Sequence, residues 1–148
     1  MSDEGISDRV KRFIATYISS VAQLETLLLL HTNVNQSWSA ADIARELRIE
    51  TAGAEAQLAA LVASGLAVRL SDAEAERDRR TPDDAGARYR YNPSKPELEA
   101  DTVAVAQAYL VRRVTVVGLI FAKPPDKVRA FSEAFRFRQD PRKDNPNG

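Results

Sequence analysis

The sequence predicts a mainly α-helical fold with one small β-hairpin, flanked by further helices on both sides. Three observations support this fold class. Apolar residues recur at helical spacing along most of the 148-residue chain. Two short helical stretches meet at a tight turn between residues 39 and 64. A strand-like run, 66–70, and a second one, 88–91, are then separated by a long polar segment.

The first short helix has a clear start signal. Ser39 can accept a hydrogen bond from the first free amides, and Asp42 places a carboxylate in the first turn, where the helix dipole favours negative charge. The apolar residues behind them then share one helical face or mark the turn that follows: Ile43, Ala44, Leu47 and Ile49. A helix that begins at Ser39 and ends near residue 48 is therefore expected.

The second short helix is predicted to begin at Thr51, which we expect to be its N-cap. Its apolar residues repeat at helical spacing: Ala54, Leu58, Leu61 and Val62. Gly65 tolerates a positive φ and predicts the C-terminal stop before the strand. A helix, a short turn, a helix and a strand in this order are typical of a winged helix-turn-helix.

This part of the chain resembles the winged-helix domains of bacterial transcription regulators of the MarR and PadR type. The resemblance is carried by Asp-Ile-Ala-Arg-Glu-Leu at 42–47 and by Leu-Val-Ala-Ser-Gly-Leu-Ala-Val-Arg at 61–69, and it spans about residues 20–92. It implies a regulator that binds double-stranded DNA, with the second helix, 52–64, in the major groove. It also implies that helices outside this domain form a homodimer.

The outward face of the second helix is poorly suited to reading bases. Stepping 100° per residue from Leu58 places small residues opposite the buried side: Ala52, Gly53, Ala56, Ala60 and Ala63. Base edges are normally read by Arg, Lys, Asn or Gln, and this helix offers only Gln57, which lies beside Glu55. Two interpretations stay open: weak or non-standard base readout, or a protein-interaction module that does not bind DNA.

The segment between the two strands is predicted to be a long, mobile hairpin loop forming the wing, because residues 70–88 are polar and lack periodicity. Its basic residues could contact phosphates, but acidic residues surround them, so a solvated, self-compensating charge run is the alternative. The resemblance, together with these side chains, gives the candidate DNA contacts: Arg45, Arg48, Thr51, Gln57, Arg77, Arg79 and Arg80.

The flanking regions are expected to be helical. Residues 1–19 form an N-terminal helical extension, and Ser20 with Gln23 forms a capping box that opens the next helix at the start of the winged domain, 20–92. Residues 93–138 are predicted to be a helical dimerisation region, and 139–148 a disordered tail.

Surplus apolar surface in the C-terminal region favours dimerisation, although folding back onto the N-terminal helix within one chain is the alternative. A single run, from Glu97 to Phe121, is expected to be helical because no turn signal interrupts it. The candidate dimer contacts are Val105, Tyr109, Val116, Ile120, Phe131 and Phe135.

Composition argues against several function classes. The chain has no cysteine and one histidine, His31, so no thiol chemistry, disulfide or Cys-containing metal site is available. No catalytic constellation and no cofactor-binding or metal-binding motif is found, and an enzyme is not expected. We expect no membrane span or signal peptide and a cytoplasmic location. Lys plus Arg equal Asp plus Glu at 21 each, so net charge gives DNA binding no support.

Overall fold

The computed structural model describes residues 6–78 and 86–122 of the chain. Within these ranges it is helical with one small antiparallel sheet, as predicted. The elements in chain order are α1 Asp8–Tyr17, α2 Val21–Thr32, β1 Trp38–Ser39, α3 Ala40–Leu47, α4 Thr51–Ala63, β2 Ala67–Arg69, α5 Asp72–Asp78, β3 Arg88–Tyr91, α6 Pro96–Val111 and α7 Arg113–Ala122.

The helix-turn-helix is formed by α3 and α4. Ser39 and Asp42 make the complete capping box at the start of α3, which confirms the predicted start signal. Arg48 ends α3 in the left-handed region, with φ of 61°, and so makes the tight turn without a glycine. The expectation that Thr51 caps α4 was wrong: Glu50 is the N-cap, and it makes no side-chain capping hydrogen bond.

The sheet has the strand order β1-β3-β2, with both pairs antiparallel. β2 and β3 form the predicted wing hairpin, in which Val68 is paired with Arg90. β1 was not predicted, because a strand of two residues shows no periodicity. It pairs Ser39 with Arg88 and thereby attaches the wing to the start of α3.

The wing segment contains a helix, so the prediction of an irregular loop throughout 70–88 was wrong. α5 begins with a capping box in which Ser71 Oγ accepts from the Glu74 amide and Glu74 Oε1 accepts from the Ser71 amide. The pattern Ser-x-x-Glu was therefore a usable sequence signal. α5 lacks an apolar stripe and has no buried residue, which is why periodicity did not reveal it.

The run from Glu97 to Phe121 is helical, as expected, but it is not one helix. α6 and α7 meet at Arg112 with a bend of 115°. α7 packs back on α1, and Val116 and Ile120 are buried there. In the part of the chain that the structure describes, no single helix is long and apolar enough to cross a membrane.

The hydrophobic core connects the flanking helices with the helix-turn-helix. α2 lies at its centre, with the side chains of Leu24, Leu27 and Leu30 fully buried. α4 contributes Leu58 and Leu61, which also have no exposed surface. Because burial of such side chains is the main stabilising term, the orientation of α4 is fixed by its contacts with α2 and α3.

Candidate nucleic-acid interface

The exposed face of α4 is the surface that a winged helix would present to DNA. Its exposed residues are Thr51, Ala52, Glu55, Ala56, Ala59, Val62 and Ala63. The predicted face was partly wrong, since Gly53 and Ala60 are half-buried and Ala59 and Glu55 are exposed in their place. The face is rotated because the buried side is centred between Ala54, Leu58 and Leu61 rather than on Leu58 alone.

This face presents alanine methyl groups, the Val62 side chain, the Thr51 hydroxyl group and one carboxylate, that of Glu55. Alanine cannot form the bidentate hydrogen bonds that discriminate bases, although a methyl group can contact the methyl of thymine. Gln57 is half-buried at the edge of the face, while Thr51 is exposed at the start of the helix. The geometry thus offers little direct readout, as the sequence indicated.

Two of the candidate phosphate contacts lie next to α4. Arg45 projects from α3 with 73% of its side chain exposed, and Arg48 is exposed in the turn between the helices. The first helix of a helix-turn-helix crosses the DNA backbone, so Arg45 lies on the element suited to phosphate contact and Arg48 lies in the turn directly after it.

A buried arginine, which sequence reasoning did not single out, lies behind this surface. The Arg88 side chain is 1% exposed, and its Nη2 lies 3.1 Å from Asp42 Oδ2. Its Nε donates to the Ser37 hydroxyl at 2.8 Å, and Nη2 also donates to the Ser37 carbonyl at 2.9 Å. A buried arginine is normally paired in this way, because an unpaired buried charge is costly. The sequence signal was weak: a charged residue in a strand-like run and a distant carboxylate.

The wing carries further charged side chains. Arg77 is exposed on α5, while Arg79 and Arg80 lie outside the described residues. The pKa of Glu74 is lowered most by its hydrogen bond with the Ser71 backbone and next by its hydrogen bond with the Ser71 side chain. The positive charges of Arg90 and Arg77 lower it further. These arginines therefore lie near a carboxylate that stays ionised.

A cleft of about 410 Å³ separates α4 from the root of the wing. Thr51, Glu55 and Ala59 line it on the α4 side, and Gly86 and Tyr89 line it on the wing side. α4 and this part of the wing thus lie on the two sides of one cleft.

Three of the six candidate dimer contacts belong to the buried core of this chain. Val105 and Val116 are 0% exposed and Ile120 is 2% exposed, so these three side chains have no surface to offer a partner. Tyr109 is half-buried and binds Glu25, and Phe131 and Phe135 lie outside the described residues. Large apolar side chains that are exposed lie beside them: Val103, Leu110, Val111, Val114 and Phe121. Dimerisation through these helices stays a prediction, and three of the six named side chains, Val105, Val116 and Ile120, face the core of this chain instead of a partner.

His31 has structural contacts at the end of α2. Its ring meets the Tyr91 ring edge-on at 4.9 Å, and its Nε2 lies 3.6 Å from Glu99 Oε2. Tyr91 donates its hydroxyl hydrogen to Glu99. Across residues 6–78 and 86–122, no group of three side chains could hold a metal ion.

No protein-family model matches the chain, and no curated protein matches it significantly. Among solved structures, the chain is similar to the reduced form of MarR from E. coli, with a TM-score of 0.46 and 15% identity over 86% of this chain and 83% of that one. It is also similar to the apo form of wild-type MarR from E. coli, with a TM-score of 0.44 and 14% identity over 86% and 84% of the two chains. The winged helix-turn-helix described above stands on this chain's own helix order and strand pairing.

Proposed function

We propose that this protein is a dimeric winged-helix transcription regulator that binds double-stranded DNA mainly through its sugar-phosphate backbone. The observation that supports this most is the shared location of the exposed α4 face, the turn and the wing. Arg45 and Arg48 supply positive charge next to a helix face whose exposed residues are mostly alanines, and Arg77 is a further exposed arginine on the wing helix α5.

The strands add two basic residues that the sequence analysis did not include. Arg69 is exposed at the end of β2 and Arg90 is half-buried on β3. Because α4 offers little hydrogen bonding to base edges, sequence preference would come from DNA shape and from methyl contacts to thymine. Glu55 on α4 and the acidic side chains of α5 lower the affinity by repelling phosphates.

A titration of labelled duplex DNA by fluorescence anisotropy tests this function. The duplex carries the DNA that lies upstream of this protein's own gene. Binding is measured at about 50 mM and about 200 mM salt. We expect saturable binding that weakens steeply at the higher salt, because each neutralised phosphate releases a counterion. Absence of binding at micromolar protein would contradict the proposal.

A second candidate function is a protein-interaction module that uses the same α4 face. The observation that favours it is the chemistry of that face, where exposed alanines allow close packing and Glu55 is the single charged side chain of α4. Co-purification of the partner with the wild type and with the double variant Ala56→Glu and Ala59→Glu tests this candidate. If the partner co-purifies equally well with both proteins, the α4 face is not its docking surface and this candidate is excluded.

Dimerisation is proposed through the apolar surface at the junction of α6 and α7. Leu110 is 80% exposed, Val111 70% and Val114 85%, which is unusual for adjacent large apolar side chains. Burial of this surface against a second copy across a twofold axis would remove it from water. Sedimentation analysis of the protein with Leu110→Asp and Val114→Asp tests this. We expect a dimer for the wild type and a monomer for the variant, and a wild-type monomer contradicts it.

A further inference from the structure

The Asp42 carboxylate lies between two guanidinium groups, of which one is buried and the other is exposed. Its Oδ1 accepts from Arg45 Nη2 at 2.8 Å, and its Oδ2 lies 3.1 Å from Arg88 Nη2. The side chains of Asp42 and Arg88 are 4% and 1% exposed, whereas that of Arg45 is 73% exposed. The exposed Arg45 guanidinium therefore binds a buried carboxylate through its Nη2.

The three charges have a consequence for DNA binding. If Asp42 faced Arg45 alone, it would neutralise that arginine and remove its attraction for a phosphate. Because Arg88 compensates the same carboxylate from the inside, the three groups sum to one positive charge. The only one of the three that solvent reaches freely is Arg45.

The carboxylate is itself fixed to the backbone. Asp42 Oδ2 accepts from the Ser39 amide at 3.1 Å, and the Asp42 amide donates to Ser39 Oγ at 3.1 Å. Ser39 is also paired with Arg88 in the sheet. The support for Arg45 therefore combines a helix cap and a strand pairing, and both hold Asp42 in place.

We propose that Asp42 is the positioning residue for Arg45, with Arg88 as its buried counter-charge, so that Arg45 meets a DNA phosphate in a preorganised orientation. This role rests on the proposed function. An arginine whose fork is already ordered loses less conformational freedom on binding. Arg48 offers an internal comparison, because in the part of the chain that the structure describes it has no such partner.

A double-mutant cycle on duplex DNA tests the role. Arg45→Gln is measured in the wild type and in the background Asp42→Asn with Arg88→Met, where net charge is unchanged and the Asn oxygen can still accept from the Ser39 amide. We expect Arg45→Gln to weaken binding about tenfold in the wild type and about threefold in that background, since the preorganisation is lost. Arg48→Gln is the matched control, and its cost should be the same in both backgrounds. Equal costs of Arg45→Gln in the two backgrounds would overturn the role.

A second measurement needs no DNA and covers the case in which the double substitution does not fold. Nitrogen relaxation of the arginine side chains in the wild-type protein reports their order, with Arg45→Gln and Arg48→Gln used for assignment. We expect Arg45 Nε to be more ordered than Arg48 Nε. An Arg45 as mobile as Arg48 overturns the positioning role. An ordered Arg45 in a protein that does not bind DNA contradicts the proposed function instead.

Discussion

The hydroxyl group of Tyr109 on α6 donates a 2.7 Å hydrogen bond to the Glu25 carboxylate on α2. Arg113, the first residue of α7, donates to the same Glu25 oxygen at 2.9 Å, and its guanidinium lies 4.7 Å from the centre of the Tyr109 ring. The three side chains join α2, α6 and α7 at the bend. They hold the adjoining ends of α6 and α7 to α2 at the position where the chain turns by 115°.

We expect Tyr109→Phe to lower the free energy of unfolding by about 1 kcal/mol, because the half-buried Glu25 loses a hydrogen-bond donor. Urea denaturation measures it. Tyr17→Phe is the matched control, since the Tyr17 hydroxyl makes no hydrogen bond within the described residues and its ring contact with Phe13 is kept. Equal losses in the two variants would show that the Glu25 contact has no special role.

The tyrosines also predict an alkaline limit to stability. Burial and then hydrogen bonds to Glu99 and Glu25 raise the pKa of Tyr91 and of Tyr109 above the ordinary value. In the unfolded chain both groups lose their protons near pH 10, whereas in the folded protein they lose them at higher pH because both pKa values are raised. The folded state therefore binds more protons above about pH 10, and its stability falls as pH rises. We expect the combined Tyr91→Phe and Tyr109→Phe variant to show a shallower decrease between about pH 9 and about pH 11 in urea titrations. An unchanged slope would exclude these two groups as the cause.

Two glycines should respond to alanine in opposite directions. Gly65 has φ of +79°, and a Cβ there would lie 2.5 Å from Ser94 Oγ, so we expect Gly65→Ala to destabilise the fold by more than about 1 kcal/mol. Gly53 lies inside α4 with nothing within 4 Å of an added Cβ. Gly53→Ala is expected to stabilise the fold by about 0.5–1 kcal/mol. Thermal unfolding of both variants measures this, and a destabilised Gly53→Ala would mean that α4 packs differently.

The buried pair of Arg88 and Asp42 predicts a strong asymmetry between single and double substitutions. Arg88→Met alone removes the buried guanidinium that faces the Asp42 carboxylate, and we expect the free energy of unfolding to fall by about 3–5 kcal/mol. Adding Asp42→Asn removes the uncompensated charge and should recover most of that loss. Urea denaturation of the single and double variants compares them. A double variant no more stable than Arg88→Met would show that the pair does not govern stability.

Local signals predicted much of the fold. The capping box at Ser39, the stop at Gly65 and the strand at 88–91 depend on neighbouring residues, and all three appear in the structure. The break at Arg112 could not be predicted in the same way, because its stabilising contacts come from Glu25, 88 residues away from Arg113.

The candidate site was predicted less completely than the fold. Exposed charges such as Arg45 and Arg48 could be identified, because the resemblance assigned their helix. Arg88 could not, since only the sheet register brings it to Asp42. The rotation of the α4 face toward Ala59 depends on how α2 and α3 pack on α4, and a helical wheel centred on one leucine does not contain that information.

The exposed position of Ala59 gives the most direct test of whether α4 faces DNA. Ala59→Arg and Ala59→Glu differ in charge on the same exposed helix position, so neither should disturb the core. Their affinities for duplex DNA are measured by anisotropy at about 50 mM and about 200 mM salt. We expect Ala59→Arg to tighten binding and to steepen its salt dependence, and Ala59→Glu to weaken binding. Equal affinities of the two variants would contradict a DNA-binding role for this helix.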